Sequence, residues 1–261
     1  MSHQPSAMTR HYSHEPVRHP FFVSTRPLVF AHRGGGALTP ENTMAAFDNG
    51  LALGADGLEL DVHLSRDGVV VVHHDRTLER TTTLAGPIAG RTAGELDRAN
   101  VPRLDAVLAR HRDARVIVEL KVNSGELAAA VVDVVRRANA VDRVCLGSFG
   151  LRVLRAVRAI EPAIATSAAR EEVRWALYRS WVRWPVRRVG YDGYQVPELA
   201  GTTRVVSPRF VSCAHDADLA VQVWTVDTEA DARRLLGWGV DALITDRPDI
   251  IVPIVTASAR R

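Results

Sequence analysis

His32-Arg33-Gly34 closes the strand-like run Pro27-Leu28-Val29-Phe30-Ala31, and Glu59-Leu60-Asp61 closes the next such run. A further apolar run, Val69 to Val72, ends in His73-His74-Asp75. Separated histidines pass protons near neutral pH because imidazole titrates at about 6.5. Arginine offers phosphate oxygens a planar fork, and carboxylates hold hard cations. Together these are the parts of metal-assisted phosphoester cleavage. Taken singly each has a plainer reading: a strand-end histidine satisfied in the core, or an acid that caps a loop or neutralises a neighbouring arginine.

Side chains alternate between the two faces of a strand, so Glu59 and Asp61 share one face and Leu60 and Val62 the other. The same rule pairs Glu119 with Lys121 on a later run. Three carboxylates converging at one end of a barrel would make an oxygen site suited to Ca²⁺ or Mg²⁺ rather than zinc. Arg33 and Lys121 would then face the non-bridging oxygens of a phosphodiester, which gain charge in the transition state. The glycines at 34–36 would let backbone approach a ligand, although a glycine-rich loop alone is a weak phosphate signal.

What must position these groups is a set of strand-like runs at 28–32, 57–63, 68–74, 114–121, 144–149, 163–168, 191–197, 220–226 and 241–246. Helix-like segments at 41–54, 104–112, 126–139, 151–160, 170–183, 207–217 and 229–238 alternate with most of them. That order predicts an α/β fold, a TIM-type (β/α)8 barrel. Nine runs are one too many. Only Ser65-Arg66-Asp67-Gly68 separates 57–63 from Val69, too short for a parallel crossover, so these two runs form a β-hairpin and eight parallel strands remain. Asp67-Gly68 suits a two-residue type I′ turn, which would set Arg66 opposite Val69 and Asp61 opposite His74.

The length of 261 residues and a 46% hydrophobic content fit one large core. A single barrel domain is expected over 27–261, preceded by a flexible N-terminal tail at 1–26. A net charge of +3 with balanced acids and bases lacks the clustered basic face of a nucleic-acid binder. Cys145 and Cys213 are too few for a disulfide framework and read as two buried thiols. The polar N-terminus has no secretory h-region, and no apolar run reaches membrane-spanning length. The expectation is a cytoplasmic protein without a transmembrane segment; no motif speaks to oligomeric state.

Five blocks in order, HRGGGALTPENTMAAF, GADGLELDVHLSRDGVVVVHHDRTLERTT, VIVELK, VQVWTVDT and GVDALITDRPD, resemble the glycerophosphodiester phosphodiesterase family from about Phe30 to Pro248. The resemblance implies a divalent cation, Ca²⁺ or Mg²⁺, held by Glu59, Asp61 and Glu119. It implies His32 and His74 as the acid–base pair, with His74 preferred over His73 because the family's histidine directly precedes the aspartate. Arg33 would hold phosphate and serve catalysis, Lys121 and Trp224 would contact substrate, and Glu41 would orient Arg33 or a water. Phe149 would line the same mouth, His63 would pack beneath it, and Thr245-Asp246-Arg247-Pro248 reads mainly as the closure of the last strand. The implied reaction turns a glycerophosphodiester and water into sn-glycerol 3-phosphate and an alcohol.

Two other functions keep the same site: a lysophospholipase D acting on lipid phosphodiesters, and a barrel that binds phosphate esters without cleaving them. The first draws on residues 174–188, where three Trp and one Tyr interleave with Arg, a composition that would make weak membrane-surface contact. The plainer expectation is an outer helix whose Trp175, Tyr178 and Val182 face inward at spacings of three and four. No expected catalytic position is replaced, which argues against the silent barrel. The stretch before Leu104, where many family members carry an insertion over the mouth, is short.

Overall fold

A computed structural model describes residues 18–186 and 189–258. Eight parallel strands carry the barrel: β1 (Leu28–His32), β2 (Gly57–Leu64), β4 (Arg115–Leu120), β5 (Val144–Gly147), β6 (Ala165–Thr166), β7 (Gly193–Pro197), β10 (Ala220–Trp224) and β11 (Ala242–Thr245). Their order is β6-β5-β4-β2-β1-β11-β10-β7, and a parallel bridge between Ser167 and Gly193 joins the two ends. The short strand β3 (Val70–Val72) pairs antiparallel with β2 alone. The expected (β/α)8 barrel with one hairpin is therefore the fold.

Outside the strands lie α1 (Met44–Ala52), α2 (Ala93–Asp97), α3 (Leu104–Arg110), α4 (Gly125–Arg137), α5 (Leu151–Ile160), α6 (Arg170–Trp181), α7 (Pro208–His215), α8 (Glu229–Gly237) and α9 (Pro248–Ser258). The sequence reading misses α2, α9 and a small hairpin, β8 (Leu199–Ala200) with β9 (Thr203–Arg204). The longest helix, α4, begins where the Ser124 hydroxyl accepts from the Leu127 amide, and it buries Leu127, Val131, Val134 and Val135 along one stripe. Among the described residues no helix is long and apolar enough to cross a membrane.

Strand alternation sorts the side chains into two layers. Leu58, Leu60 and Val62 of β2 face outward into an apolar cluster shared with α3, α4 and α5. Phe30, Ile117, Cys145, Ala165, Ala220, Ala242 and Ile244 face inward. Continuing the inward parity towards the strands' C-terminal ends gives His32, Glu59, Asp61, Glu119, Lys121, Trp224 and Asp246. The lower barrel is thus filled with hydrocarbon while the upper rim carries charged and polar side chains beside Trp224. Cys145 is buried in that interior, whereas Cys213 is only partly covered.

The floor corrects the boundary expected at residue 26. Residues 1–17 lie outside the described residues, but 18–26 belong to the barrel. Phe21 and Phe22 are buried under the inward cluster, Phe21 stacks on Phe30 at 5.7 Å, and Arg18 pairs with Asp241 at 2.8 Å.

The hairpin register also differs from expectation. Val62 faces Val72 and Leu64 faces Val70, and the His73 amide donates to the Asp61 carbonyl at 2.9 Å. Asp61 therefore stands opposite His73 rather than His74. The reason is a three-residue turn: the Ser65 amide donates to the Val69 carbonyl at 2.9 Å, with Gly68 alone at positive φ (+77°). The Ser65 hydroxyl bonds Asp67 and the Val69 backbone, and Asp67 accepts from the Ala93 amide, which holds the longer loop.

Candidate active site

His32 ends β1 beside Glu59 of β2, and Asp61 of β2 stands beside Glu119 of β4 in the parallel register. Glu59, Asp61 and Glu119 each present a carboxylate oxygen within 4.8 Å of the others. Asp61 is almost wholly buried, and its Oδ1 lacks an aligned hydrogen-bond donor. Lys121 Nζ lies 3.3 Å from that oxygen and 3.4 Å from Glu119, while Arg33 Nε lies 3.2 Å from Asp61 Oδ2. Two fixed positive charges against three carboxylates leave an excess of negative charge.

Electrostatics records that excess. Burial and the charge of Asp61 push Glu59 up to about 8. Burial also raises Glu119, with Asp61 adding to it against Lys121. Burial would raise Asp61 too, but Lys121, Arg33 and the 3.0 Å hydrogen bond from Asn42 overcome it and hold Asp61 below the usual range. Burial works against the Lys121 charge, yet Asp61 and Glu119 raise its pKa. Hard oxygen donors, crowded so closely that the pKa values of Glu59 and Glu119 are both pushed up, fit a divalent cation.

The two histidines are both held through Nδ1. His32 Nδ1 meets Asp246 Oδ1 at 2.8 Å, and its Nε2 lies 3.8 Å from Glu59. Burial lowers the His32 pKa, but Glu59 and Asp246 outweigh it and lift the value to about 9. His74 Nδ1 meets Asp75 Oδ1 at 2.6 Å, and Arg80 Nε holds the other Asp75 oxygen at 2.6 Å. The Arg80 hydrogen bond is the main reason Asp75 titrates well below an ordinary carboxylate. Arg80 also reaches Glu41, which in turn accepts from Arg33 Nη1 at 3.2 Å. Glu41 sits before α1, whose cap is Thr43, so it is not a first-turn helix acid.

His32, Arg33, Glu59, His74, Glu119, Lys121 and Trp224 line one cavity of about 620 Å³. Asp61 lies beneath this lining and Glu41 beside it. His73 stays out of it: its Nε2 faces the Thr77 carbonyl at 3.0 Å, and burial lowers its pKa to about 4. His63 packs below, its Nε2 against the His74 carbonyl at 3.2 Å. His74 reaches the cavity although it does not oppose Asp61, because β3 stops at Val72 and the chain turns. Arg33 (φ +51°), Gly34 (φ +87°) and Gly35 (φ +93°) form the loop between β1 and α1. A Cβ on Gly34 would meet the Ala46 backbone at 2.6 Å, so that glycine serves close packing of α1.

The far wall is different. Phe149 stands edge-on to Trp224 at 6.0 Å with Arg170 over its ring at 5.0 Å, and α6 adds Val173, Leu177, Tyr178 and Trp181. The segment forms an outer helix as expected, but the face expected to turn inward does not. Trp175, Tyr178 and Val182 are 66%, 45% and 72% exposed, and α6 instead buries Ala176, Leu177 and Ser180. Small side chains let the helix lie close to the barrel, which turns the large ones outward. Residues 187 and 188 of this segment lie outside the described residues.

The family model described as the glycerophosphoryl diester phosphodiesterase family matches residues 32–250. The chain belongs to the glycerophosphoryl diester phosphodiesterase family. Among relatives of this family member is the probable glycerophosphodiester phosphodiesterase 2 of Mycobacterium tuberculosis, 32% identical over 243 residues, covering 88% of this chain and 91% of the other. A glycerophosphoryl diester phosphodiesterase structure from Silicibacter pomeroyi aligns over 90% of this chain and 95% of its own, with a TM-score of 0.75 and 26% identity. An Oleispira antarctica phosphodiesterase, solved with its product sn-glycerol-3-phosphate, aligns over 88% and 97%, with a TM-score of 0.72 and 26% identity.

Sequence reasoning missed Asp246, Asp75, Arg80 and Asn42 as partners of the site. Asp246 sits in a block read mainly as strand closure, yet it shares the inward parity of Ile244 and holds His32. Asn42 adjoins Glu41 in the Pro40–Thr43 block, which was the available signal.

Proposed function

We propose that this glycerophosphodiester phosphodiesterase uses a carboxylate-bound divalent cation and a pair of histidines to release sn-glycerol 3-phosphate and an alcohol such as choline or ethanolamine. The observation that carries this reading is the trio Glu59, Asp61 and Glu119, within 4.8 Å of one another, two of which line a cavity together with His32 and His74. The trio would hold the cation, Ca²⁺ or Mg²⁺ by donor chemistry. Bound there, the cation would supply charge stabilisation to the phosphoryl oxygens.

The remaining work falls to the chain's own groups. Arg33, with Nε towards Asp61 and Nη1 towards Glu41, is held to offer its other edge to phosphate. Lys121 adds a point charge beside Asp61 and Glu119. Asp246 and Asp75 occupy the Nδ1 atoms of His32 and His74, which leaves each Nε2 for proton transfer at the cavity. One imidazole takes the proton of the attacking hydroxyl, either water's or that of the substrate's neighbouring glycerol carbon, and the other protonates the departing alkoxide. Where the glycerol hydroxyl attacks, the roles then reverse as water opens the resulting cyclic phosphate to sn-glycerol 3-phosphate. Trp224 supplies an apolar wall for the alcohol moiety.

The test is a panel of glycerophosphodiesters assayed after chelation and separate readdition of Ca²⁺, Mg²⁺ and Mn²⁺. Activity lost on chelation and restored by one of these ions supports the reading. Full turnover in the chelated protein, or binding without hydrolysis under every ion, would overturn it.

A further inference from the structure

We propose that Arg80 is a positioning residue for the phosphodiesterase reaction: its one guanidinium fixes both the histidine arm and the phosphate-gripping arm of the site, so that the two work as a unit. This rests on the phosphodiesterase reading and adds to it a group outside the cavity lining. Arg80 Nε donates to Asp75 Oδ2 at 2.6 Å, while Nη1 and Nη2 donate to Glu41 Oε2 and Oε1 at 3.0 and 2.6 Å. Asp75 turns its other oxygen to His74 Nδ1 at 2.6 Å, and Glu41 Oε1 also accepts from Arg33 Nη1 at 3.2 Å. Arg33 Nε in turn lies 3.2 Å from Asp61. An unbroken run of polar contacts therefore leads from an acid–base imidazole, through Arg80, to the carboxylate trio.

Both acids depend on this guanidinium. Among the described residues, Asp75 Oδ2 and Glu41 Oε2 have no other hydrogen-bond donor. Without Arg80, Asp75 would be free to turn about its Cβ–Cγ bond, and His74 would lose its fixed partner. Glu41 would keep Arg33 alone as a hydrogen-bond partner and draw it away from phosphate. The Arg80 hydrogen bond is the main cause of the low pKa of Asp75. Burial pushes Glu41 up, and the Arg80 hydrogen bond leads the contacts that bring it below its ordinary value. Only arginine suits the position, because its planar fork meets two carboxylates from three nitrogens, whereas a lysine ammonium is a point charge on a flexible stem.

The loop that carries Arg80 is built independently of the site. Leu78 is buried with Val71, Ile88, Leu96 and Val101, and its amide donates to the Gly86 carbonyl at 3.1 Å. The Thr82 amide and hydroxyl both donate to the Leu78 carbonyl, and Glu79 accepts from the Gly86 amide at 2.6 Å. The Arg80 side chain is 48% exposed, so its hydrogen bonds close no core. Exposed ion pairs add little to stability. What these bonds supply is orientation of the two acids, and through them of His74 and Arg33.

The experiment compares Arg80→Ala and Arg80→Lys with Asp75→Asn and Glu41→Gln in the full chain, on glycerophosphocholine under the ion that supports turnover. Arg80→Ala should lower kcat/KM by about 10²-fold through both constants, with its thermal unfolding midpoint close to that of wild type. Asp75→Asn should act chiefly on kcat and Glu41→Gln chiefly on KM, each reproducing one part of the Arg80 pattern. Arg80→Ala placed on top of both should cost less than about threefold more, since Arg80 then has nothing left to hold. Guanidinium ion, kept well below denaturing concentrations, should restore part of the Arg80→Ala turnover, and Arg80→Lys should not, because the fork rather than the charge is missing. In ¹⁵N spectra of the histidine side chains, recorded in alkaline solution, wild-type His74 should carry its proton on Nδ1 alone and Arg80→Ala should show both tautomers. An Arg80→Ala enzyme within about twofold of wild type, full recovery by Arg80→Lys, or lost turnover with an unchanged His74 spectrum would each overturn the proposal. A wild type that cuts no glycerophosphodiester under any ion would remove the phosphodiesterase reading, and the His74 spectra would then decide the positioning role by themselves.

Discussion

On the side of the mouth carried by β1, β2 and β4, charged groups are held by one another: His32 by Asp246, His74 by Asp75, Asp75 by Arg80, Glu41 by Arg33 and Arg80. On the side facing α6, the wall is hydrocarbon and ring, and the arginines beyond it stand free of carboxylates among the described residues. The first side is organised before any ligand arrives, because each imidazole and guanidinium already has its orientation fixed. The second offers area rather than direction. Fixed dipoles and charges stabilise a transition state without reorganising, whereas an apolar wall discriminates among substrates weakly and tolerates several.

The hardest test of this contrast is removal of the carboxylates. Glu59→Ala, Asp61→Ala or Glu119→Ala should each reduce turnover of glycerophosphocholine by about 10³-fold or more, as expected where one cation organises the chemistry. Calorimetric titration with Ca²⁺ or Mg²⁺ should register the same loss as weakened ion binding. Unchanged ion affinity in all three variants would dismantle the polar side as a metal site.

Next in size are the histidines. His32→Ala and His74→Ala should each lower kcat by about 10²–10⁴-fold with a much smaller change in KM. His73→Ala should retain turnover, since its ring faces Thr77 away from the cavity. Steady-state kinetics on folded variants would read this, and an inactive His73 variant beside an active His74 variant would reverse the assignment.

A smaller, differently shaped effect belongs to the apolar side. Trp224→Ala should raise KM by about tenfold, the order of about 1.4 kcal/mol, while leaving kcat within a few fold. A kcat loss as deep as that of the histidine variants would mean that the two sides do not divide the labour as described.

The smallest effect tests the hairpin beneath the polar side. No atom lies within 4 Å of a Cβ placed on Gly68, so Gly68→Ala meets only the strain of φ +77°. Denaturant unfolding should register a loss of about 1–2 kcal/mol. Activity should persist, because His74 lies beyond the paired part of the hairpin. A collapse of turnover at full stability would show that the turn sets the catalytic geometry after all.

Much of this arrangement was readable from the chain. The parity rule alone puts His32, Glu59, Asp61, Glu119 and Lys121 inward, and the four residues between two apolar runs force a hairpin. The register was not readable from the Asp67-Gly68 pair, because the Ser65 hydroxyl and the Asp67 bond to Ala93 stabilise a turn one residue longer. The direction of α6 was hidden for a related reason. Its two candidate stripes, one of large rings and one of Val173, Ala176, Leu177 and Ser180, have the same spacing, and only the closeness of the barrel wall selects the smaller one. Asp246 was overlooked because its partner His32 lies 214 residues away, a pairing that no local pattern encodes.

The barrel floor bears on how the molecule is made. Phe21 and Phe22 share a cluster with Ala220 of β10 and Ala242 of β11, and Arg18 holds Asp241 across 223 residues. On a ribosome the first of these leaves the exit tunnel long before its partners are synthesised. Until then two phenylalanines and the free edge of β1 stay uncovered, in the kind of late, distant closure that slows folding and invites association.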